Sequence, residues 1–170
     1  PEFTWTEPEE KELKRTPLFE SHLALGAKMS GFAGWEMPLW YSSVLQEHIA
    51  TRKAAGLFDV THMGVFQAEG PDAAVFLDVV CGNDVMSLKL GDAIYTHFMD
   101  PHANVIDDLL VYRRDVDKYL VVVNAANEAK DWAWLNAVRN GEVMVDPDRP
   151  WVRAPGRKVI LRNLKDPNEG

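Results

Sequence analysis

The residues best suited to chemistry lie in the run Asn104-Val105-Ile106-Asp107-Asp108, where two adjacent carboxylates interrupt an apolar strand pattern that continues through Leu109-Leu110-Val111-Tyr112. Successive strand side chains point to opposite faces, so Asp107 and Asp108 cannot act as a side-by-side dyad. At most one of them faces a pocket. A carboxylate turned inward is costly unless it is hydrogen-bonded or matched by a cation. Two readings therefore stay open: both carboxylates satisfy turn and backbone donors, or one of them is functional. Asp108, Leu110 and Tyr112 share a face, which would set an inward Asp108 near an aromatic ring. A carboxylate beside an aromatic wall suits a flat, nitrogen-rich ligand, and its charge can stabilise a developing ammonium.

Other polar residues have ordinary structural roles available. Asn124 and Asn127 bracket the start of a helix, where Asn124 fits an N-cap and either amide could also bind a polar ligand. Tyr95 and Met63 occupy or begin strands, and packing is their default role. The five histidines, His22, His48, His62, His97 and His102, lack zinc-ligand spacing. His48 falls on the apolar face of a predicted helix and is read as packed; His62 precedes a strand and could be loop, packing or site. Cys81 ends an apolar helical pattern and reads as a buried, inert thiol. No dinucleotide-binding or phosphate-loop glycine pattern is present.

The totals bound these readings. A chain of 170 residues, 46% of them hydrophobic, can build one ordinary domain or a domain with part of a second. The formal net charge of −8 argues against a nucleic-acid or anionic-membrane surface. Arg149, Arg153, Arg157, Lys158 and Arg162 are spread through a Pro-containing tail, where they solvate rather than bind phosphate. A lone cysteine fits a reducing, cytoplasmic setting. No apolar run approaches the ~20 residues that span a membrane, and the acidic N-terminus has neither secretory nor transit character.

These residues need elements to hold them. Residues 1–15 read as a flexible lead-in. Thr16-Pro17 opens a short helix to Gly26, followed by a Gly- and aromatic-rich loop or short strand. Ser43 and Gln46 have capping-box spacing for a helix ending near Gly56. From residue 60 the pattern predicts a strand (63–68), a helix opened by Gly70-Pro71, three strands (94–99, 105–112 and 119–123), a helix carrying Ala129, Trp132, Leu135 and Val138, and a short strand at 142–145. That order matches a split βαβ, ferredoxin-like unit with one extra strand, in an α+β chain. Val159-Ile160-Leu161 offers one further strand.

Taken together the motifs resemble the glycine cleavage T-protein family. Thr16-Pro17-Leu18-Phe19, Leu25-Gly26-Ala27-Lys28-Met29 and Phe32-Ala33-Gly34-Trp35-Glu36-Met37-Pro38 resemble its opening, and Ala55-Gly56-Leu57-Phe58-Asp59-Val60-Thr61-His62-Met63-Gly64 its next signature. Asn83-Asp84-Val85, Ile106-Asp107-Asp108-Leu109 and Val122-Val123-Asn124-Ala125-Ala126-Asn127 complete the set in order. The resemblance implies a tetrahydrofolate-dependent aminomethyltransferase that takes an aminomethyl group from the lipoyl arm of H-protein, passes the methylene to tetrahydrofolate and releases ammonia. It implies Asp108 as the catalytic carboxylate and Met63, Tyr95, Tyr112 and Asn124 as folate-pocket residues, with no metal. It also implies a discontinuous first domain, with residues 16–59 its N-terminal segment, 60–146 a ferredoxin-like insert and 147–170 an incomplete return. Family members are considerably longer, so an inactive folate-binding module is an alternative, as is a related folate-dependent demethylase. Apolar surface left uncovered would favour self-association. One departure concerns the turn before the aspartates: the family's usual Gly-Gly pair is Ala103-Asn104 here, and Ala is a poor left-handed residue.

Overall fold

The computed structural model describes residues 2–7, 9, 12–151 and 156–167. Residues 1, 8, 10 and 11 of the lead-in, Arg153 and Pro155, and residues 168–170 lie outside the described residues. The chain divides into two compact units, Glu7–His62 and Pro1–Thr6 with Met63–Gly170.

In the first unit, β1 (Lys14–Arg15) pairs in parallel with β3 (Trp35–Trp40), which pairs antiparallel with β2 (Lys28–Phe32). Two residues expected in the flexible lead-in are thus part of a sheet. The aromatic-rich stretch is a hairpin because Ala33 and Gly34 both take positive φ (50° and 79°), the two-residue turn whose twist matches paired strands. Helix α1 spans Phe19–Ala24 and α2 spans Val44–Lys53. The Ser43 hydroxyl accepts the Gln46 backbone N–H at 3.2 Å, so the cap stands where its spacing put it. The packed reading of His48 does not hold. No side chain of α2 is buried, and Val44, Leu45, His48 and Ile49 are all exposed, so the helical stripe does not meet the core.

The second unit is a five-stranded antiparallel sheet with strand order β5-β6-β7-β4-β8. Its strands are β4 (Gly64–Glu69), β5 (Ala93–Met99), β6 (Val105–Asp115), β7 (Lys118–Val123) and β8 (Ile160–Asn163); its helices are α3 (Ala73–Val80) and α4 (Glu128–Arg139). Buried and half-exposed residues alternate along β4, β6 and β7. Phe66, Ala68, Leu109, Val111, Tyr119, Val121 and Val123 form one core with Phe76, Leu77 and Val80 of α3 and Trp134, Leu135 and Val138 of α4. Both helices therefore cover one face. The other carries Val65, Leu110, Tyr112, Leu120 and Val122, each partly exposed. At its end β4 closes tightly on β7 and α4: a Cβ on Gly64 would stand 2.5 Å from the Val123 side chain and 2.9 Å from that of Glu128.

One expectation fails at the C-terminal end. Residues 142–145 do not form a strand, because their first N–H groups close the preceding helix. Gly141, at φ 76°, donates to the Val138 carbonyl and Glu142 to the Ala137 carbonyl, a Schellman closure that takes them out of any sheet ladder. The fifth strand is β8, paired antiparallel with β4. The stretch Val159-Ile160-Leu161, which offered a further strand, thus supplies an edge strand to the second unit's sheet at Ile160–Asn163.

The turn that delivers the aspartates is clamped by Asp100, whose carboxylate accepts the backbone N–H groups of His102 (2.8 Å) and Asn104 (2.9 Å) and the Asn104 amide (2.8 Å). Ala103 is held at φ 64°, the left-handed region that costs an L-residue about 1–2 kcal/mol. Ala103→Gly relieves that strain and should stabilise the chain by about 0.5–1 kcal/mol in urea unfolding; a loss of stability would contradict the strain.

Candidate functional site

The β5–β6–β7 register separates the two aspartates. Asp107 shares its row with Leu109 and Val111 on the helix-covered face and is 4% exposed. Asp108 shares its row with Leu110 and Tyr112 and opens onto the other face, opposite His97. Asp107 is turned to buried donors, and Asp108 presents its carboxylate outward.

Asp107 is satisfied almost entirely by the segment that leaves β7. Its Oδ2 accepts the Asn124 backbone N–H at 3.2 Å, and its Oδ1 accepts the side-chain amides of Asn124 at 3.0 Å and Asn127 at 2.6 Å. Asn124 lies one step past the last paired residue of β7, Val123, which faces Leu109. That position brings its amide between the two aspartates. The same Nδ2 lies 3.0 Å from Asp108 Oδ1 and 3.1 Å from the Asp108 carbonyl. The expected N-cap role for Asn124 is not what the side chain does. The residues after it form a 3-10 turn, α4 begins at Glu128, and neither Asn124 nor Asn127 makes a side-chain cap bond. The Asp107 carboxylate, a stronger acceptor than a neutral carbonyl, takes both amides.

On the open face the Tyr95 hydroxyl donates to Asp108 Oδ2 at 2.9 Å. That bond to a carboxylate, then burial and the charges of Asp108 and Asp107, raise the phenol above its ordinary pKa, so Tyr95 remains a donor. The His97 ring meets Tyr95 edge-on at 5.4 Å. Tyr112, four residues along the strand from Asp108, shares that face but lies about 13 Å away. The ring beside Asp108 is thus Tyr95, from the neighbouring strand β5, rather than Tyr112, to which alternation along β6 had pointed. Met63 lies just before β4 and is half-buried; its carbonyl accepts the Lys165 ammonium at 3.0 Å. The structure brings Asp108, Tyr95 and Asn124 into one hydrogen-bonded cluster, sets Tyr112 on the same face, and ties Met63 to Lys165 rather than to that cluster.

Two groups escaped the sequence analysis. Asp131 on α4 is fully buried, and burial first, then its hydrogen bond with and the charge of Asp107, push its pKa up to about 9. The signal was present: residues 131, 134, 135 and 138 have helical i, i+3, i+4, i+7 spacing, and this is the buried face of α4, whereas Ala129 is exposed. In the first unit His22 bridges the Tyr41 hydroxyl and Asp59 Oδ2, each at 2.8 Å, and Asp59 also accepts from Thr16 and Thr61. Burial opposes ionisation of Asp59, but these donors outweigh it and hold its carboxyl below the usual range. His62 is buried and meets the Phe32 ring edge-on, and Cys81 is buried with its thiol pKa raised by burial.

The arrangement offers a fixed carboxylate on a partly apolar sheet face, with a second negative charge directly behind it. Such a site favours a ligand that donates N–H groups or develops positive charge. A family model described as the GCVT N-terminal domain matches residues 18–153. The chain belongs to this family. Within it, the chain is 52% identical over 127 residues to the aminomethyltransferase of Symbiobacterium thermophilum, covering 75% of this chain and 34% of that protein. It is 43% identical over 159 residues to the aminomethyltransferase of Bacillus subtilis, covering 91% and 44%. The solved glycine cleavage system aminomethyltransferase T of Bartonella henselae matches with a TM-score of 0.75 and 37% identity, covering 90% of this chain and 38% of that one. The chain thus spans about a third to under half the length of these GCVT-family relatives. No helix among its described residues is long and apolar enough to cross a membrane.

Asn124 spans a buried carboxylate and an exposed one, so the two partners should respond differently to truncation. Asn124→Ala strips Asp107 of a buried donor and should cost about 2–3 kcal/mol. Asp108→Ala, at a solvated position, should cost less than about 1 kcal/mol. Urea unfolding of both variants checks this, and equal losses would contradict the separation of roles.

Proposed function

We propose that this chain carries the folate-side half of the active site of a tetrahydrofolate-dependent aminomethyltransferase. The observation that carries the reading is the posture of Asp108, held by Tyr95 and Asn124 with its charge directed onto the open, partly apolar sheet face. The whole enzyme transfers the methylene of an aminomethyl group, carried on the lipoyl arm of H-protein, to tetrahydrofolate and releases ammonia. Lipoylated H-protein and tetrahydrofolate are thus its partners, with no metal, nucleic acid or membrane required. Asp108 accepts a hydrogen bond from the folate ring system, orients the attacking nitrogen, and stabilises the positive charge that develops during transfer. Tyr95 and Asn124 hold the carboxylate, while Tyr112 and Met63 line the pocket. The Asp107 charge behind the site adds to the field without touching the ligand.

The sheet supports a ferredoxin-like reading of the second unit. If β5 is set aside as the added edge strand, β4-α3-β6-β7-α4-β8 has the spatial order β6-β7-β4-β8, that of a split βαβ pair. The first unit then belongs to the discontinuous first domain.

Titrating the chain calorimetrically with tetrahydrofolate tests the reading. Asp108→Asn removes a charge-assisted hydrogen bond and should weaken binding roughly 10- to 100-fold. With lipoylated H-protein as donor, formation of methylenetetrahydrofolate should fall by about 100-fold or more while far-UV circular dichroism is unchanged. Unchanged binding and turnover in this variant would overturn the assignment. We also infer self-association through exposed apolar residues such as Leu45, Leu57, Phe58 and Val60. Sedimentation should show mass rising with concentration, and a strictly monomeric profile would refute it.

A further inference from the structure

Asp131 is a fully buried acid in the α4-facing core. Neither of its carboxyl oxygens meets a protein donor. A carboxylate only accepts, so two ionised carboxylates facing one another satisfy neither. A proton on one of them converts it into a donor. The side chain that acts on it is Asp107, the residue whose other bonds hold Asn124 and Asn127 and, through Asn124, Asp108.

We propose that Asp131 is a positioning residue for the site: it stays protonated, donates its proton to Asp107, and this shared proton sets the Asp107 carboxylate that aims the Asn124 amide at Asp108. The hydrogen-bonded chain runs Asp131–Asp107–Asn124–Asp108–Tyr95, from the helix-covered core to the open face. It gives Asp107 a further donor besides Asn124 and Asn127, so the carboxylate cannot rotate to release them without also disturbing the proton of Asp131. The charged groups that act on Asp131 are Asp107 from β6 and Lys130 from its own helix. The Lys130 ammonium is directed to the Ile106 carbonyl at 2.7 Å, which leaves the shared proton as the interaction that offsets the Asp107 charge. Glu128, one turn earlier, is engaged by Asn163 and Lys165. The other elements packed on α4, α3 and β4, bring Leu77, Val80, Phe66 and Ala68 to this core.

The linkage has a definite sign. An acid whose folded pKa is raised binds its proton more tightly folded than unfolded, so stability falls as pH rises from the ordinary carboxylate range toward about 9. Asp131→Asn keeps a neutral donor of the same shape and removes the titration. Asp131→Leu is neutral without a donor.

The test uses the 170-residue chain and both variants. The wild-type urea midpoint should fall between pH 5 and pH 8.5 more steeply than that of Asp131→Asn. The Asn124 side-chain amide resonances should titrate near pH 9 in the wild type and stay flat in Asp131→Asn. Parallel slopes and absent titration would overturn the shared proton. The positioning role rests on the folate reading and is measured by tetrahydrofolate affinity. Asp131→Asn should stay within about twofold of wild type, and a folded Asp131→Leu should lose about tenfold. Wild-type affinity in Asp131→Leu would overturn positioning. Failure of the folate reading is recognised separately: Asp108→Asn would then bind as wild type, while the pH slopes and the Asn124 titration still decide whether the proton is shared.

Discussion

A carboxylate placed under a helix-covered sheet has to find donors, and for Asp107 three come from the segment that leaves β7. The antiparallel register of β6 and β7 brings Asn124 alongside the aspartates, and the 3-10 turn after it returns Asn127 to the same oxygen. The path from strand to helix is tied to that need. Asn124 and Asn127 both forgo capping, and α4 starts only after Asn127 has turned its amide back to β6. Gly64 leaves room for this crossing, since a side chain there would collide with Val123 and Glu128.

The same constraint determines what is left for function. Because Asp107 is occupied underneath, its neighbour must emerge on the opposite face, and the shared Asn124 amide fixes the angle at which it does so. Buried, hydrogen-bonded charge is a poor way to gain stability, since an apolar residue of similar size often serves as well. Its value is specificity: a fully satisfied polar network has few alternative arrangements. In this chain the network begins in the core, at Asp131, and ends at a phenol on the open face.

Much of the architecture was legible because it follows from local rules. Strand alternation correctly separated Asp107 from Asp108, the Ser43 cap formed as its spacing required, and the polar run between β6 and β7 made a hairpin. The failures came where distant groups decide. Asn124 looks like a cap from its neighbours alone, and only the pairing of β6 with β7 reveals a stronger acceptor. Residues 142–145 alternate like a strand, yet a helix closure consumes their first N–H groups. The strand offered at Val159-Ile160-Leu161, by contrast, does form, over Ile160–Asn163, because β4 has a free edge to pair with. For α4 the expected stripe, Ala129, Trp132, Leu135 and Val138, shares its last two residues with the buried face but has Ala129 and Trp132 where that face has Asp131 and Trp134, and this hid Asp131. An acid on an apolar stripe is easily passed over when the stripe is sought by hydrophobicity. Ala103 shows the opposite case: intrinsic preference opposes its left-handed conformation, and the Asp100 clamp prevails.

The account turns on the Asn124 amide being locked between the two aspartates. Hydrogen exchange of that side-chain amide, followed by NMR at neutral pH, measures the lock directly. It should exchange far more slowly than the side-chain amide of the exposed Gln46 and approach the protection of the β6 and β7 backbone. Exchange of Asn124 at the rate of a solvated amide would contradict the account, because Asp107 would then lack that donor and only Tyr95 would hold Asp108.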